Sequence, residues 1–132
     1  MDETVEKARI LHAEAQALEE RLQFIEQQIL ELRDFEEGLR KLEVSKQHEL
    51  LAGIGKGVFL KSSSERKELF VDVGSGVLVK KDIREILSVI DEQIEKLESL
   101  REDARERLGE LQEIFGSLLQ QIEASKKLYK GS

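Results

Sequence analysis

Residues 50–81, LLAGIGKGVFLKSSSERKELFVDVGSGVLVKK, decide the fold of this chain of 132 residues. Four short apolar runs occur here, at residues 50–52, 58–60, 69–71 and 77–79. Glycine-containing turns follow the first run, at residues 55–57, and the third run, at residues 73–76, and a looser link of residues 62–66 lies between them. Short β-rich runs separated by such turns predict antiparallel strand pairs, so we expect two β-hairpins over about residues 48–80.

The predicted strands carry apolar side chains on both faces, because each run is apolar at three successive positions. A single two-stranded hairpin cannot bury two apolar faces. The strand edges carry little charge, and unprotected edges in folded proteins are usually paired or covered. We therefore expect other chains to complete this sheet.

The segments on either side of residues 48–80 have the 4-3 spacing of apolar residues that is typical of a coiled coil. This spacing predicts one helix over about residues 2–46 and another over about residues 82–129. Two helices of similar length joined by a returning insert predict an antiparallel coiled-coil hairpin within a single α+β domain, residues 1–132, and pairing of parallel helices between chains is the alternative. The predicted seam consists of Leu11, Ala15, Leu18, Leu22, Ile25, Ile29, Leu32 and Leu39 in the first helix and of Ile83, Leu87, Ile90, Ile94, Leu97, Ala104, Leu108, Leu111, Phe115, Leu118, Ile122 and Tyr129 in the second.

Composition excludes several classes of function. The net charge is -7, and no region has the excess of basic residues that binding to nucleic acid requires. The chain has no Cys, which excludes a disulfide framework, a thiol nucleophile and a zinc-thiolate site. No apolar run approaches the length of a membrane span, and the acidic start Met1-Asp2-Glu3 does not fit a signal peptide. We expect a cytoplasmic protein that binds neither membranes nor nucleic acid.

The glycine turns do not fit a nucleotide site. Gly57 stands where a phosphate loop needs Ser or Thr, and Val79 stands where a dinucleotide fingerprint needs its third Gly. His12 and His48 have no second ligand at metal-binding spacing. No Ser or Thr has a plausible base partner. The sequence therefore predicts no catalytic residue, no metal and no cofactor, and we expect a protein that is not an enzyme.

Apolar residues outside the seam lie near the helix ends that are far from the predicted strands. They are Val5, Ile10, Ile114, Leu119 and Leu128. One interpretation is a widened core or scattered exposed residues, which are normal on protein surfaces. The other is a surface that contacts apolar segments of other proteins.

The order helix, two β-hairpins, helix resembles prefoldin, and specifically the alpha-type subunit of archaeal-like prefoldins, because the beta type has one hairpin. The most specific residues are 53–61, GIGKGVFLK, and 71–81, VDVGSGVLVKK, which are similar to the family's first and second hairpins. The resemblance covers essentially the whole chain. One difference is Ala52-Gly53, where the family often has a proline.

The resemblance implies a hexamer of two alpha-type and four beta-type subunits, in which the hairpins build an inter-subunit β-barrel that carries six coiled coils. It implies an ATP-independent holdase that captures non-native proteins at the coiled-coil tips and delivers them to a group II chaperonin. The implied subunit contacts are Val58, Phe59, Leu60, Leu69, Phe70, Val71, Val77 and Leu78. The implied client contacts are Val5, Ile10, Leu11, Leu118, Leu119, Ile122 and Leu128. The alternative function is a structural coiled-coil protein that forms filaments through its sheet edges.

Overall fold

The computed structural model describes the backbone of residues 2–64 and 68–130 and the side chains of residues 3–64 and 68–128. It has the predicted α+β fold, two long helices with two β-hairpins between them. The elements in chain order are α1 (Asp2–Val44), β1 (Glu49–Gly55), β2 (Val58–Ser63), β3 (Leu69–Asp72), β4 (Leu78–Lys81) and α2 (Ile83–Lys130). The predicted link residues Glu65 and Arg66 and the seam side chain of Tyr129 lie outside the described residues.

Side chains next to the helix ends determine where the helices stop and start. The N–H of Gln47 donates to Ser45 Oγ at 3.2 Å, and this local bond turns the chain out of α1 after Val44. The N–H of Arg84 donates to Asp82 Oδ1 at 3.3 Å, so Asp82 caps the first turn of α2. Each helix therefore differs from its predicted range by only one or two residues at these ends.

The chain divides into two compact units, a helical unit of residues 1–30 and 95–132 and a mixed unit of residues 31–94. In the helical unit, seam residues of both helices are buried, and Leu111 is the most buried of all, with 1% of its surface exposed. The 4-3 spacing therefore identified the apolar faces that pack together. The buried residues of this unit are Ala8, Leu22, Ile25, Ile29, Ala104, Leu111 and Leu118. The expectation of one domain over residues 1–132 stays a prediction.

The two helices of the helical unit are antiparallel. The rings of His12 and Phe115 lie 5.6 Å apart, and further along α1 an oxygen of Glu26 lies 2.9 Å from Arg105 Nη2. Moving toward the C terminus of α1 thus corresponds to moving toward the N terminus of α2. This is the direction predicted from the similar lengths of the helices.

The mixed unit has its own apolar cluster of Leu39, Leu87, Ile90 and Ile94. Leu69 of β3 packs against this cluster, as do Leu32, Ile83 and Ile86 of the helices. A strand and both helices therefore share one small core. The second hairpin is held against the helices by this contact.

Each hairpin is an antiparallel pair, β1 with β2 and β3 with β4, and among the described residues the two pairs form separate sheets. The turns have Lys56 and Gly57 at φ +52° and +80°, and Ser75 and Gly76 at +51° and +76°. Two successive positive φ angles are the geometry of a type I′ turn, which matches the twist of paired strands. Val77 was predicted to belong to the fourth strand, but its N–H donates to Gly74 O at 3.0 Å and closes the turn before β4 begins.

Candidate functional site: exposed apolar strands and helix ends

The hairpins expose large apolar side chains on both faces. Of the eight residues predicted to make subunit contacts, six are exposed in the single chain. Val71 is half-buried, and so is Leu69, which packs against the cluster of its own chain and therefore has a structural role there. The exposed six are Val58, Phe59, Leu60, Phe70, Val77 and Leu78.

Four further large apolar residues of the hairpin region are exposed and were not among the predicted contacts. Leu51 lies in β1 and Val79 in β4, while Ile54 and Val73 each stand directly before the first glycine of a turn. The position of Ile54 and Val73 in the sequence was a usable signal, because a residue next to a type I′ turn still projects from the end of the strand pair. They extend the apolar surface to the turns.

The edges of both hairpins are open within the described chain. β1 and β2 pair only with each other, and the same holds for β3 and β4 in the part of the chain that the structure describes. Cross-strand ion pairs lie on each hairpin, with Lys61 Nζ 3.5 Å from Glu49 Oε2 and Lys80 Nζ 3.1 Å from Glu68 Oε1. These pairs are exposed and contribute little to stability. The hairpins thus present backbone groups and apolar surface together.

The residues predicted at the helix ends fall into two groups. Val5, Ile10, Leu119 and Leu128 are exposed and accessible without rearrangement. The remaining three take part in the seam: Leu118 is buried, and Leu11 and Ile122 are half-buried. These three can contact another protein only where the helices separate.

An open cavity lies where the two helices meet near these ends. It has a volume of about 300 Å³ and is lined by Thr4, Gln121, Ile122, Ala124 and Ser125. Ala8 and Thr4 continue the 4-3 spacing of α1 before Leu11, with Ala8 buried and Thr4 half-buried. Both residues precede Leu11, at which the predicted seam begins, so neither was predicted to be buried, although the same spacing reaches them. Small side chains at seam positions fill less of the space between two helices.

Comparison with known proteins identifies the family. The family model described as "Prefoldin subunit" matches residues 11–127. The chain belongs to the prefoldin family. Its fold is similar to that of a chain in a cryo-EM structure of filamentous PFD from Methanocaldococcus jannaschii, with a TM-score of 0.72, 21% sequence identity and coverage of 92% of this chain and 99% of that chain. No curated protein sequence matches the chain.

Membership of the prefoldin family implies a chaperone-type function and oligomeric assembly with other prefoldin subunits. Prefoldins are a non-enzymatic family, in agreement with the expectation drawn from the sequence. The open strand pairs fit this assembly, since they expose six of the eight residues predicted to make subunit contacts.

Several titratable side chains of this prefoldin chain form ion pairs at the surface. Arg107 donates from Nε to Glu14 Oε1 at 3.1 Å and from Nη1 to Glu110 Oε2 at 3.2 Å. These hydrogen bonds, with Glu14 the larger cause, raise the pKa of Arg107 above its usual value. The pair connects α1 to α2 in the helical unit. The guanidinium is charged whether or not its pKa is raised, so the role of this pair is to hold the two helices together.

Neither histidine of this prefoldin chain belongs to a metal site among the described residues, where no group of three His, Cys, Asp or Glu side chains could hold an ion. The ring of His12 lies against that of Phe115, a residue of the predicted seam. His48 lines an open cavity of about 620 Å³ in the mixed unit, together with Glu68 and Asp82. Within the described residues, neither helix has a stretch apolar enough to cross a membrane.

Proposed function

We propose that this prefoldin chain is an alpha-type subunit of an ATP-independent holdase. In this proposal it assembles with beta-type subunits into a cytoplasmic hexamer of two alpha and four beta chains. The hexamer captures non-native proteins at its helix ends and delivers them to a group II chaperonin. The presence of two hairpins supports the alpha type, since the beta type has one. The observation that carries the proposal is the exposure of six large apolar side chains on hairpins with open edges.

Assembly through the hairpins follows from the surface they expose. Burying a large apolar side chain contributes about 1.5–3 kcal/mol, and each hairpin has several such residues. Phe59 and Phe70 offer the largest areas, and both are more than half exposed. Closure of strand pairs into an inter-subunit barrel satisfies the open backbone groups at the same time as it buries these rings.

Client capture is assigned to the helix ends because exposed apolar residues lie there beside charged ones. Val5, Ile10, Leu119 and Leu128 are exposed to different degrees, from 37% for Val5 to 78% for Leu128. Each contact with an unfolded chain is small, so a single end binds weakly. Several ends held in one complex give an avidity that one end lacks.

The holdase proposal is tested by aggregation of a denatured client. The chain is mixed with a beta-type prefoldin subunit, assembly is verified by native mass spectrometry, and light scattering is followed without ATP. We expect slower aggregation at complex concentrations near that of the client. Unchanged aggregation in the presence of the assembled complex would reject the proposal.

The role of the helix ends is tested with the double variant Ile10→Ser and Leu128→Ser. The matched control is Phe24→Ser and Leu30→Ser, because these residues are equally exposed on α1 but lie away from the helix ends. Both variants are expected to assemble. The end variant should lose most of the protection against aggregation and the control should keep it. Equal protection by the two variants would assign client contact elsewhere.

Filament formation is the second candidate function, and one observation favours it. The similar solved structure, which covers 92% of this chain, is of a filamentous PFD. Open strand edges on both hairpins are also compatible with continued growth. Electron microscopy of the purified chain separates the two candidates, because a hexamer subunit gives closed particles of fixed mass, whereas a filament protein gives fibres of variable length.

A further inference from the structure

The helical unit exposes large apolar side chains along its length, and not only at the helix ends. Four of them share a position in the sequence, because each directly precedes a seam position of the 4-3 spacing. They are Ile10 before Leu11, Phe24 before Ile25, Leu100 before Arg101 and Ile114 before Phe115. We call Ile10 with Ile114 the first patch and Phe24 with Leu100 the second patch. Phe24, which is 65% exposed, lies well inside α1.

Residues that directly precede a seam position lie on one side of the helix pair. Glu14 and Arg107 are two of them, since Ala15 and Leu108 follow them. Arg107 Nε donates to Glu14 Oε1 at 3.1 Å, which requires both side chains to project to the same side of the seam. The two patches therefore lie on this side too, and we call it the Arg107 flank.

Each patch combines one residue of α1 and one of α2 at a single level of the helix pair. The rings of His12 and Phe115, which are in contact, lie two residues and one residue beyond the first patch. Glu26 and Arg105, which form an ion pair, lie two and five residues beyond the second patch. In both helices 14 residues separate the patches, which is about 21 Å. The flank thus has two similar apolar patches two heptads apart.

The Arg107 flank has no net charge, although the chain as a whole is acidic. Within residues 3–30 and 95–128, the residues that directly precede a seam position include four basic and four acidic ones. The residues that directly follow a seam position, on the opposite flank, include three basic and six acidic ones. Two copies of the opposite flank would repel each other, whereas two copies of the Arg107 flank can approach.

Two opposite charges of the Arg107 flank are unpaired within the chain. Among the described residues, neither Arg21 nor Asp103 takes part in an ion pair, whereas Arg107 is bonded to two carboxylates of its own chain. Arg21 lies three residues before Phe24 and Asp103 three residues after Leu100, so both belong to the level of the second patch. A partner that offers an acid opposite Arg21 and a base opposite Asp103 complements this level.

We infer that the Arg107 flank binds the Arg107 flank of a second copy of this chain, with the two helix pairs pointing in the same direction. In this arrangement α1 of each copy lies beside α2 of the other. Phe24 then meets Leu100 of the second copy, and Arg21 meets Asp103 of the second copy, and both contacts occur twice. All neighbouring helices of the resulting four-helix bundle are antiparallel. The opposite direction would set Arg107 of one copy against Arg107 of the other, which is unfavourable.

The inference deepens the proposed assembly and rests on it, because the contact is small. Four apolar side chains from each copy cover far less than the area of a stable interface. Helix pairs that are held side by side in one complex have a high effective concentration, at which such a contact forms. Its loss should leave the mass of the complex unchanged. Ile10 also belongs to the proposed client contacts, so the second patch is the part that a bound client leaves in place.

Cysteine cross-linking tests the contact, since the native chain has no Cys. Chains with Lys7→Cys are mixed with chains with Ser117→Cys, two exposed positions of the Arg107 flank that face each other only between copies in the inferred arrangement. After mild oxidation, alone or assembled with a beta-type subunit, the mixture should give a covalent dimer that neither chain gives by itself. The matched control is a mixture of Gln23→Cys and Glu102→Cys chains, on the opposite flank, and should give none. No cross-link in either preparation, or equal yields from the two mixtures, would overturn the inference.

Substitutions on the flank identify its contacts. In the cross-linking mixture, Phe24→Ser should lower the rate of cross-linking by about tenfold, and Leu30→Ser, an equally exposed residue of the opposite flank, should leave it unchanged. Arg21→Asp should lower the rate by about threefold or more, and adding Asp103→Arg to the same chain should restore it, because the charges then meet in exchanged positions. Equal rates for Phe24→Ser and Leu30→Ser, or no recovery in the double variant, would contradict the arrangement.

The outcome is distinguishable from that of the holdase proposal. A complex that cross-links through the Arg107 flank but gives no protection to a denatured client keeps the inference and rejects the holdase. A complex that protects the client without this cross-link rejects the inference and leaves the holdase proposal intact.

Discussion

Leu111 and Leu78 are the same amino acid in opposite situations. Leu111, in the seam of the helical unit, is 1% exposed, whereas Leu78, in β4 of the mixed unit, is 63% exposed. The helices complete their core within the chain, because a face with 4-3 spacing meets a matching face. The strands have two apolar faces and the chain supplies partners for only part of one. We therefore expect the helical region to be stable alone and the strands to depend on assembly.

The largest effect on assembly is expected from a charge placed on a strand. Val71→Asp should abolish assembly while leaving helicity high, because a subunit contact would bury a carboxylate without a partner. Val71→Thr is the matched control, with a similar shape and no charge. Light scattering gives the oligomer mass and circular dichroism gives the helix content. An oligomer of unchanged mass in the Val71→Asp variant would show that β3 is not part of a subunit contact.

Truncating each of the two leucines to alanine should have effects of intermediate size, and very different ones, on the free energy of unfolding. Leu111→Ala should lower the free energy of unfolding by about 3 kcal/mol, because it removes a fully buried side chain and leaves a cavity. Leu78→Ala should change the stability of the unassembled chain by less than about 0.5 kcal/mol, since its surroundings are mostly solvent. Urea unfolding of dilute protein, followed by circular dichroism, measures both. Similar losses for the two variants would mean that the hairpin is already packed within the chain.

The helical part of the fold was predictable because coiled-coil burial repeats locally. Leu22, Ile25 and Ile29 follow the 4-3 spacing and are buried as predicted. Prediction failed where the seam extends beyond its first large apolar residue and where burial depends on distant contacts. Ala8, which precedes Leu11, was missed for the first reason, although Ala104 was correctly assigned to the seam. Leu69 resembles its neighbour Phe70 in the sequence, yet only Leu69 packs against the helices, and this depends on how β3 is placed.

The candidate sites were less predictable, for a related physical reason. Whether an apolar side chain near a helix end is exposed depends on whether it points into the seam or away from it. Spacing correctly distinguished Leu119, which is exposed, from Leu118, which belongs to the buried seam, but the resemblance to the family grouped both as client contacts. The likeness of residues 49–61 to residues 68–80, which align without a gap at a shift of 19 positions, could have been found from the sequence alone. The structure adds that the strand pairs of the two hairpins have the same register at this shift.

The smallest expected effect comes from a pair of glycines with opposite roles. Gly76 is in a turn at φ +76°, a conformation that costs an alanine about 1 kcal/mol, so Gly76→Ala should weaken the second hairpin. Gly109 lies inside α2, and a Cβ added there meets nothing within 4 Å. Gly109→Ala should therefore stabilise the helical unit by about 1 kcal/mol, because alanine is the better helix former and its unfolded chain has less entropy to lose.

Hydrogen exchange resolves both effects in one experiment. The N–H of Val77, bonded to Gly74 O, reports on the turn, and amides of α2 near Gly109 report on the helix. Faster exchange at Val77 with slower exchange in α2 would show that glycine is required by the turn and merely tolerated by the helix. Exchange that becomes faster at both sites, or slower at both, would contradict the distinction between a hairpin that needs glycine and a helix that does not.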